Sequence, residues 1–254
     1  MTTTGDPRRV NYAKRTADIQ AAFFTRHLRP GISLLDLGCG PGSITVGLAE
    51  RVHPGSTTGF DLHPGLPEGA DDGTITLVAG DVTQGLPFED GTFDAIFSSA
   101  MLQHLPDPLA VLHEVRRVAR PGAVVGLVDA DWDGQLLYPT NPLLEASFEV
   151  MRRLRAGTSP YVGKQLRSLL VQAGFEQTES YARVVHHGTP EEVAGVGLFT
   201  ASLMSGQREQ IIELNIATGA EVDEMENAWK VWSEEPGGFL ARFWVEAIGW
   251  APEV

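Results

Sequence analysis

Leu34-Leu35-Asp36-Leu37-Gly38-Cys39-Gly40-Pro41-Gly42 decides the reading of this chain. The apolar run 32–37 ends in glycines at alternate positions, and a helix-like pattern follows over 44–52. Glycine accepts positive φ and lets a ligand approach the backbone closely, so this strand–turn–helix is a nucleotide-type binding turn. A dinucleotide fingerprint, G-x-G-x-x-G, needs its third glycine where this chain has Ser43. The loop reads G-x-G-x-G instead.

The ligand follows from charge. Asp36, two residues before the first glycine, is poorly suited to a pyrophosphate and well suited to an ammonium group. S-adenosylmethionine carries an ammonium and a sulfonium and no phosphate, so the electrostatics favour it over NAD. Asp61, in Gly59-Phe60-Asp61, ends the next strand-like run and can accept both hydroxyls of a ribose. Asp81, in Ala79-Gly80-Asp81-Val82, follows the third and can accept an exocyclic amine of adenine. Each carboxylate alone is as well explained as a loop cap. Three of them after three successive strands form a constellation.

Outward from the loop, strand-like runs at 57–61, 74–79, 93–98 and 123–129 are separated by turns and a helical pattern over 108–119. Such alternation predicts a parallel, doubly wound sheet. Upstream, apolar spacing over 11–28 predicts a helix stopped by Pro30-Gly31. Downstream, helical patterns cover 142–155, 162–173 and most of 190–230, with strands at 177–186 and 239–248. The expectation is an α/β, Rossmann-like, doubly wound sheet of seven mostly parallel strands with helical cap insertions. All 254 residues form one domain. Residues 10–29 would be an N-terminal helical lid, 30–132 the cofactor-binding core, and 133–161 and 189–236 the cap.

Composition sets outer limits. The formal charge is −14 and Arg152, Arg153 and Arg155 are the only sizeable basic cluster, which disfavours a nucleic-acid partner. Cys39 is the single cysteine, so neither an intrachain disulfide nor a multi-cysteine zinc site can form. No apolar signal core opens the sequence, and no stretch approaches the roughly 20 apolar residues of a membrane span. The expectation is a soluble cytoplasmic protein acting on a small molecule, with its oligomeric state open.

The segments LLDLGCGPGSIT (34–45), GFDLHPG (59–65), AGDVTQGLPFEDGTFDAIFSSAMLQHLPDP (79–108) and RPGAVVGLVDAD (120–131) resemble the class I S-adenosylmethionine-dependent methyltransferases. The likeness is to the small-molecule branch that includes ubiquinone and menaquinone biosynthesis. It covers residues 10–185, with a looser fit beyond. The resemblance implies that Asp36, Gly38, Cys39 and Gly40 hold the methionine portion. It implies Asp61 on the ribose, Leu62 against adenine, and Gly80, Asp81 and Val82 around adenine. Ser98, Ser99 and Ala100 would lie beside the sulfonium, with Gln103 and His104 facing the same crevice. Tyr12 and Arg15 would contact the cofactor from the N-terminal segment, with Arg15 on its carboxylate.

Methyl transfer is an in-line displacement, so alignment can contribute about 7–11 kcal/mol and a base is needed only if the acceptor loses a proton. His104, just past the fourth strand, is the candidate base, against a bland reading as a packing histidine. Asp129-Ala130-Asp131-Trp132-Asp133-Gly134 mimics the start of a calcium loop, but Thr140 stands where that loop needs Glu, and no metal is assigned. Trp132, Tyr138, Tyr161 and Phe199 are candidate walls of an apolar acceptor pocket suited to a bulky quinone-, polyketide- or lipid-like metabolite. His186 and His187, adjacent on a strand, point to opposite faces and make a poor joint metal site. Cytosine C5 chemistry needs a cysteine nucleophile, and the only cysteine lies inside the glycine loop. Two alternatives stay open at this point: a non-methylating cyclase or cofactor-binding module on the same fold, and an NAD-dependent oxidoreductase.

Overall fold

The structure, a computed structural model, describes residues 15–70 and 73–253. Among the described residues, seven strands form one sheet: β1 (Leu34–Leu37), β2 (Thr57–Asp61), β3 (Ile75–Ala79), β4 (Phe93–Ser99), β5 (Ala119–Tyr138), β6 (Glu176–His187) and β7 (Phe239–Trp250). Their order is β3-β2-β1-β4-β5-β7-β6. The first five pair in parallel, and β7 runs antiparallel between β5 and β6. Every residue of β1 is buried, as expected of a strand covered on both faces. The order reverses between β1 and β4, and an open α/β sheet has its crevice at such a switch.

Two apolar layers clamp the sheet. On one face, Leu35, Ile96, Val125 and Leu127 pack with the helices Pro108–Val118 and Leu166–Gln172. The first of these helices begins at Asp107, whose carboxylate accepts from Ala110 N at 3.0 Å. On the other face, Leu34, Phe97 and Val128 pack with Phe24 and with Leu48 of the helix Ser43–Val52. A third cluster lies outside the sheet, among the helices Pro142–Arg153, Pro190–Gly206 and Gly219–Trp232. Its centre is Trp229, fully buried, which donates from Nε1 to Ser147 Oγ at 2.8 Å. No helix among the described residues is long and apolar enough to cross a membrane.

Three elements differ from the sequence expectation. The N-terminal helix is broken at Ala21 into Ala17–Gln20 and Ala22–Thr25. The break lets Phe24 lie flat on the sheet over Gly126, where a Cβ would come within 2.5 Å of the ring. The pattern over 190–230 is three helices, because Asn215 takes φ 51° and Thr218 starts a new capping box. The fifth strand does not stop at 129. It continues through a bulge, with Asp131 opposite Phe243 and Gln135 opposite Arg242, and pairs with β7 as far as Tyr138.

That continuation gives β5, β7 and β6 a shared extension with two unlike faces. Gln135, Leu137, Leu240, Arg242, Val185 and His187 share the inner face, with Leu240 in the cap cluster. Leu136, Tyr138, Val184 and His186 share the outer face and are exposed. The two histidines do point to opposite faces, and His186 stacks on Phe239 at 6.5 Å.

Gly126→Ala is expected to lower stability by about 1–3 kcal/mol, as overpacking does. Phe24→Leu in the Gly126→Ala background should recover part of that loss. Urea unfolding of the two variants checks this, and a neutral Gly126→Ala would contradict the Phe24 contact.

Candidate active site

A cavity of about 470 Å³ opens at the carboxyl ends of β1, β2 and β4, at the switch in strand order. Its floor is the glycine loop. Gly38 and Gly40 take φ 78° and 53°, conformations that L side chains rarely adopt. A Cβ on Gly38 would lie 2.6 Å from Met101 Cγ, whereas a Cβ on Gly40 would meet nothing within 4 Å. Gly38 therefore serves the packing and Gly40 leaves open space.

Asp61 ties the ends of two strands together. One carboxylate oxygen accepts from Gly40 N at 3.0 Å and the other from His63 N at 2.8 Å. No ion pair to Asp61 occurs among the described residues. Asp81 accepts from Thr83 N at 2.9 Å and from Thr83 Oγ1 at 2.7 Å. Those bonds hold its carboxyl below the ordinary range, so it is a charged, exposed wall residue. Burial pushes the Cys39 thiol up, which makes it inert although it lines the cavity.

The fourth-strand wall is strained. Ala100 takes φ 57° and donates from its backbone N to Val128 O at 2.9 Å. A non-glycine residue there costs about 1–2 kcal/mol, and such strain gathers at functional sites. Ser99 lines the cavity, and its buried hydroxyl has no hydrogen-bond partner among the described residues. His104 is exposed on the same wall. Arg15 closes the cavity from the other side, with its guanidinium carbon 4.6 Å from the Trp244 ring centroid.

The cavity thus brings together Arg15, Gly38, Cys39, Gly40, Asp61, Leu62, Gly80, Asp81, Val82, Ser99, Ala100 and His104. Tyr12 lies outside the described residues. Asp36, Ser98 and Gln103 are buried behind the wall. Asp36 accepts from Thr45 Oγ1 at 2.6 Å, which anchors the helix after the glycine loop. Burial, opposed by the Thr45 bond and aided by the nearby Asp61 charge, raises its carboxyl to about 7.

Gln103 links the wall to the rim. Its N–H donates to Asp129 at 3.2 Å, and its side-chain oxygen accepts from Trp132 Nε1 at 2.8 Å. Asp129 is likewise raised to about 7, chiefly by burial. The four expected acceptor-pocket residues do not converge. Trp132 is half-buried at the rim, with the Arg155 guanidinium carbon 4.0 Å from its ring centroid. Tyr161 borders a separate recess of about 290 Å³. Phe199 is half-buried in the cap helix Pro190–Gly206. Tyr138 is 66% exposed on the outer face of the strand extension.

Arg242 is a residue that sequence reading passed over. It is half-buried on the inner face of β7, two residues from Trp244. No hydrogen bond or ion pair to its side chain occurs among the described residues. Burial and the neighbouring Arg155 charge push its guanidinium down to about 10. Only the register of β7 against the bulged end of β5 places it, and no local sequence signal carries that register.

The raised Asp36 makes a pH prediction. Its ordinary value is 3.8 and its folded value about 7, so the unfolded chain loses this proton first as pH rises. Its contribution to stability therefore falls across that window. In the apo protein, Asp36→Asn should gain stability over wild type between about pH 4 and 7, with a flat difference outside that range. Urea unfolding against pH reads this, and the opposite slope would refute the raised carboxyl.

Residues 35–127 match the family model described as "Methyltransferase domain". Over 89% of this chain and 87% of the relative, it is 26% identical to an uncharacterized methyltransferase of Schizosaccharomyces pombe. It is 33% identical to the demethylmenaquinone methyltransferase of Lactococcus lactis, over 53% of this chain and 52% of that one. The chain spans about half the length of several curated relatives it matches. Among solved structures, a candidate methyltransferase of Bacillus halodurans superposes with a TM-score of 0.55 at 16% identity, over 89% of this chain and 95% of that one, a likeness of fold. The glycine loop, the carboxylates after β2 and β3, the strand order with β7 reversed and the family match agree, and residues 35–127 form a methyltransferase domain of the class I S-adenosylmethionine-dependent kind.

Proposed function

We propose that this chain transfers the methyl group of S-adenosylmethionine to an oxygen or carbon of a bulky small molecule at the mouth of the cavity. The observation that carries the reading is the cavity wall itself. It combines the open cradle at Gly40 with an Asp61 carboxylate and a Ser99 hydroxyl that, among the described residues, carry no cation and no hydrogen-bond partner respectively. These groups fit a ligand that brings hydroxyl donors and positive charge and no phosphate.

When bound, S-adenosylmethionine supplies an activated methyl group on a sulfonium. Asp61 holds the ribose hydroxyls. Asp81 and Val82 hold adenine, with Leu62 against the ring. Gly38, Cys39 and Gly40 hold the methionine portion, and Arg15 its carboxylate. Asp36 supports that loop through Thr45 rather than by direct contact. His104 stands at the rim as the base for an acceptor that must lose a proton. Residues 189–236 cover the acceptor and exclude water during transfer. The name of the menaquinone-pathway relative and the apolar cap together favour a quinone-, polyketide- or lipid-like acceptor.

Calorimetry tests the cofactor site. Micromolar binding of S-adenosylmethionine and S-adenosylhomocysteine is expected, with none of NAD. Asp61→Ala should weaken binding about 10–100-fold, the loss of a charge-assisted hydrogen-bond acceptor. No binding by folded, ligand-free wild type would refute the reading. Once an acceptor is found by methyl mass shift, His104→Ala should leave cofactor affinity unchanged and cut turnover about 10²–10⁴-fold. Unchanged turnover would remove His104 as the base.

A further inference from the structure

The inner face of the β5–β7–β6 extension runs from Leu240, in the cap cluster, through Arg242 to Trp244, beneath Arg15 at the cofactor cavity. Arg242 therefore stands along β7 between the cap cluster at Leu240 and the Trp244 ring under Arg15. Among the described residues, no carboxylate forms an ion pair with it, and the acidic influence in the neighbourhood, that of Glu192, acts on His187. The charge that acts on it is that of Arg155, which also lies over the Trp132 ring. His187, its diagonal neighbour on β6, is half-buried and held toward the neutral form by burial and by the Arg242 charge. A half-buried cation with no counter-ion among the described residues is costly, and an anionic ligand would relieve that cost. The protein around it has a formal charge of −14, so this pair of arginines is opposite in sign to the chain as a whole.

We infer that Arg242, with Arg155 across the crevice, is a subsite for an oxyanion on the acceptor, so that the methylated molecule carries a carboxylate or phosphate beside its planar or apolar body. The role of that anion as part of an acceptor rests on the methyl-transfer reading; the anion site itself does not. Guanidinium groups bind both oxyanions through paired N–H donors. The anion fixes one end of the acceptor and leaves its reacting atom directed toward the His104 wall.

The probes are 4-hydroxybenzoate, phenyl phosphate and the uncharged 4-hydroxybenzamide. Each is titrated by ligand-observed NMR into the full chain, with and without saturating S-adenosylhomocysteine. At least one anion should bind 10-fold or more tightly than the amide, and which one does so distinguishes a carboxylate from a phosphate acceptor. Arg242→Met should abolish the preference and Arg242→Lys restore part of it, both with S-adenosylhomocysteine affinity within about twofold of wild type. Equal binding of the amide, wild-type anion binding by Arg242→Met, or no binding of either anion would overturn the subsite. Absent binding of S-adenosylhomocysteine would instead strike the methyl-transfer reading, while the titrations without it still report on Arg242.

Discussion

The Asp61 carboxylate joins the ends of β1 and β2, and the active-site geometry depends on that junction. One oxygen fixes the N–H of Gly40 and the other that of His63, so the glycine loop and the next strand's loop share one anchor. Gly40 can be held this way because it takes φ 53° with no side chain to enter the cavity. Behind the same loop, Asp36 fixes Thr45 and thereby the first turn of the following helix. The chain spends two acidic side chains on backbone and hydroxyl donors. Only the one facing the cavity is left with capacity for a ligand.

The parallel half of the fold was legible in the sequence because its signals are local. The run before Gly38, the spacing to Asp61 and the Asp107-Pro108 helix start each state an element within a few residues. The legible part of the site was the part carried by those same turns. What could not be read depends on pairing across long distances. Asp131–Gly134 looks like the end of a strand, and only β7 makes it a bulge within one. The helix break at Ala21 follows from a ring meeting Gly126 over a hundred residues away. Tyr138 has the right chemistry for a pocket, but the strand register turns it outward, while the same register turns Arg242 inward.

Polar side chains between cavity and cap form a relay of fixed orientations. Asp129 accepts from Gln103, Gln103 receives Trp132, and Arg155 lies over the Trp132 ring. Asp129 and Gln103 are buried, so shifting one leaves a partner unsatisfied at a cost of about 1–3 kcal/mol. The His104 turn and the rim therefore hold a common geometry, although they come from different strands.

His187 and Leu240 are partners in the β6–β7 ladder, yet the chain between them makes the helices Pro190–Gly206, Arg208–Glu213 and Gly219–Trp232. The insertion leaves and re-enters the sheet at neighbouring positions, so its closure strains the sheet little, and it docks on the helix Pro142–Arg153 through Trp229 and Ser147. It behaves as a cassette plugged into one socket. The glycine loop and Asp61 lie three and four strands from β7, at the ends of β1 and β2, and the cofactor cavity is lined without the insertion. One catalytic platform with such a socket can acquire new partners by rewriting a single continuous stretch of gene.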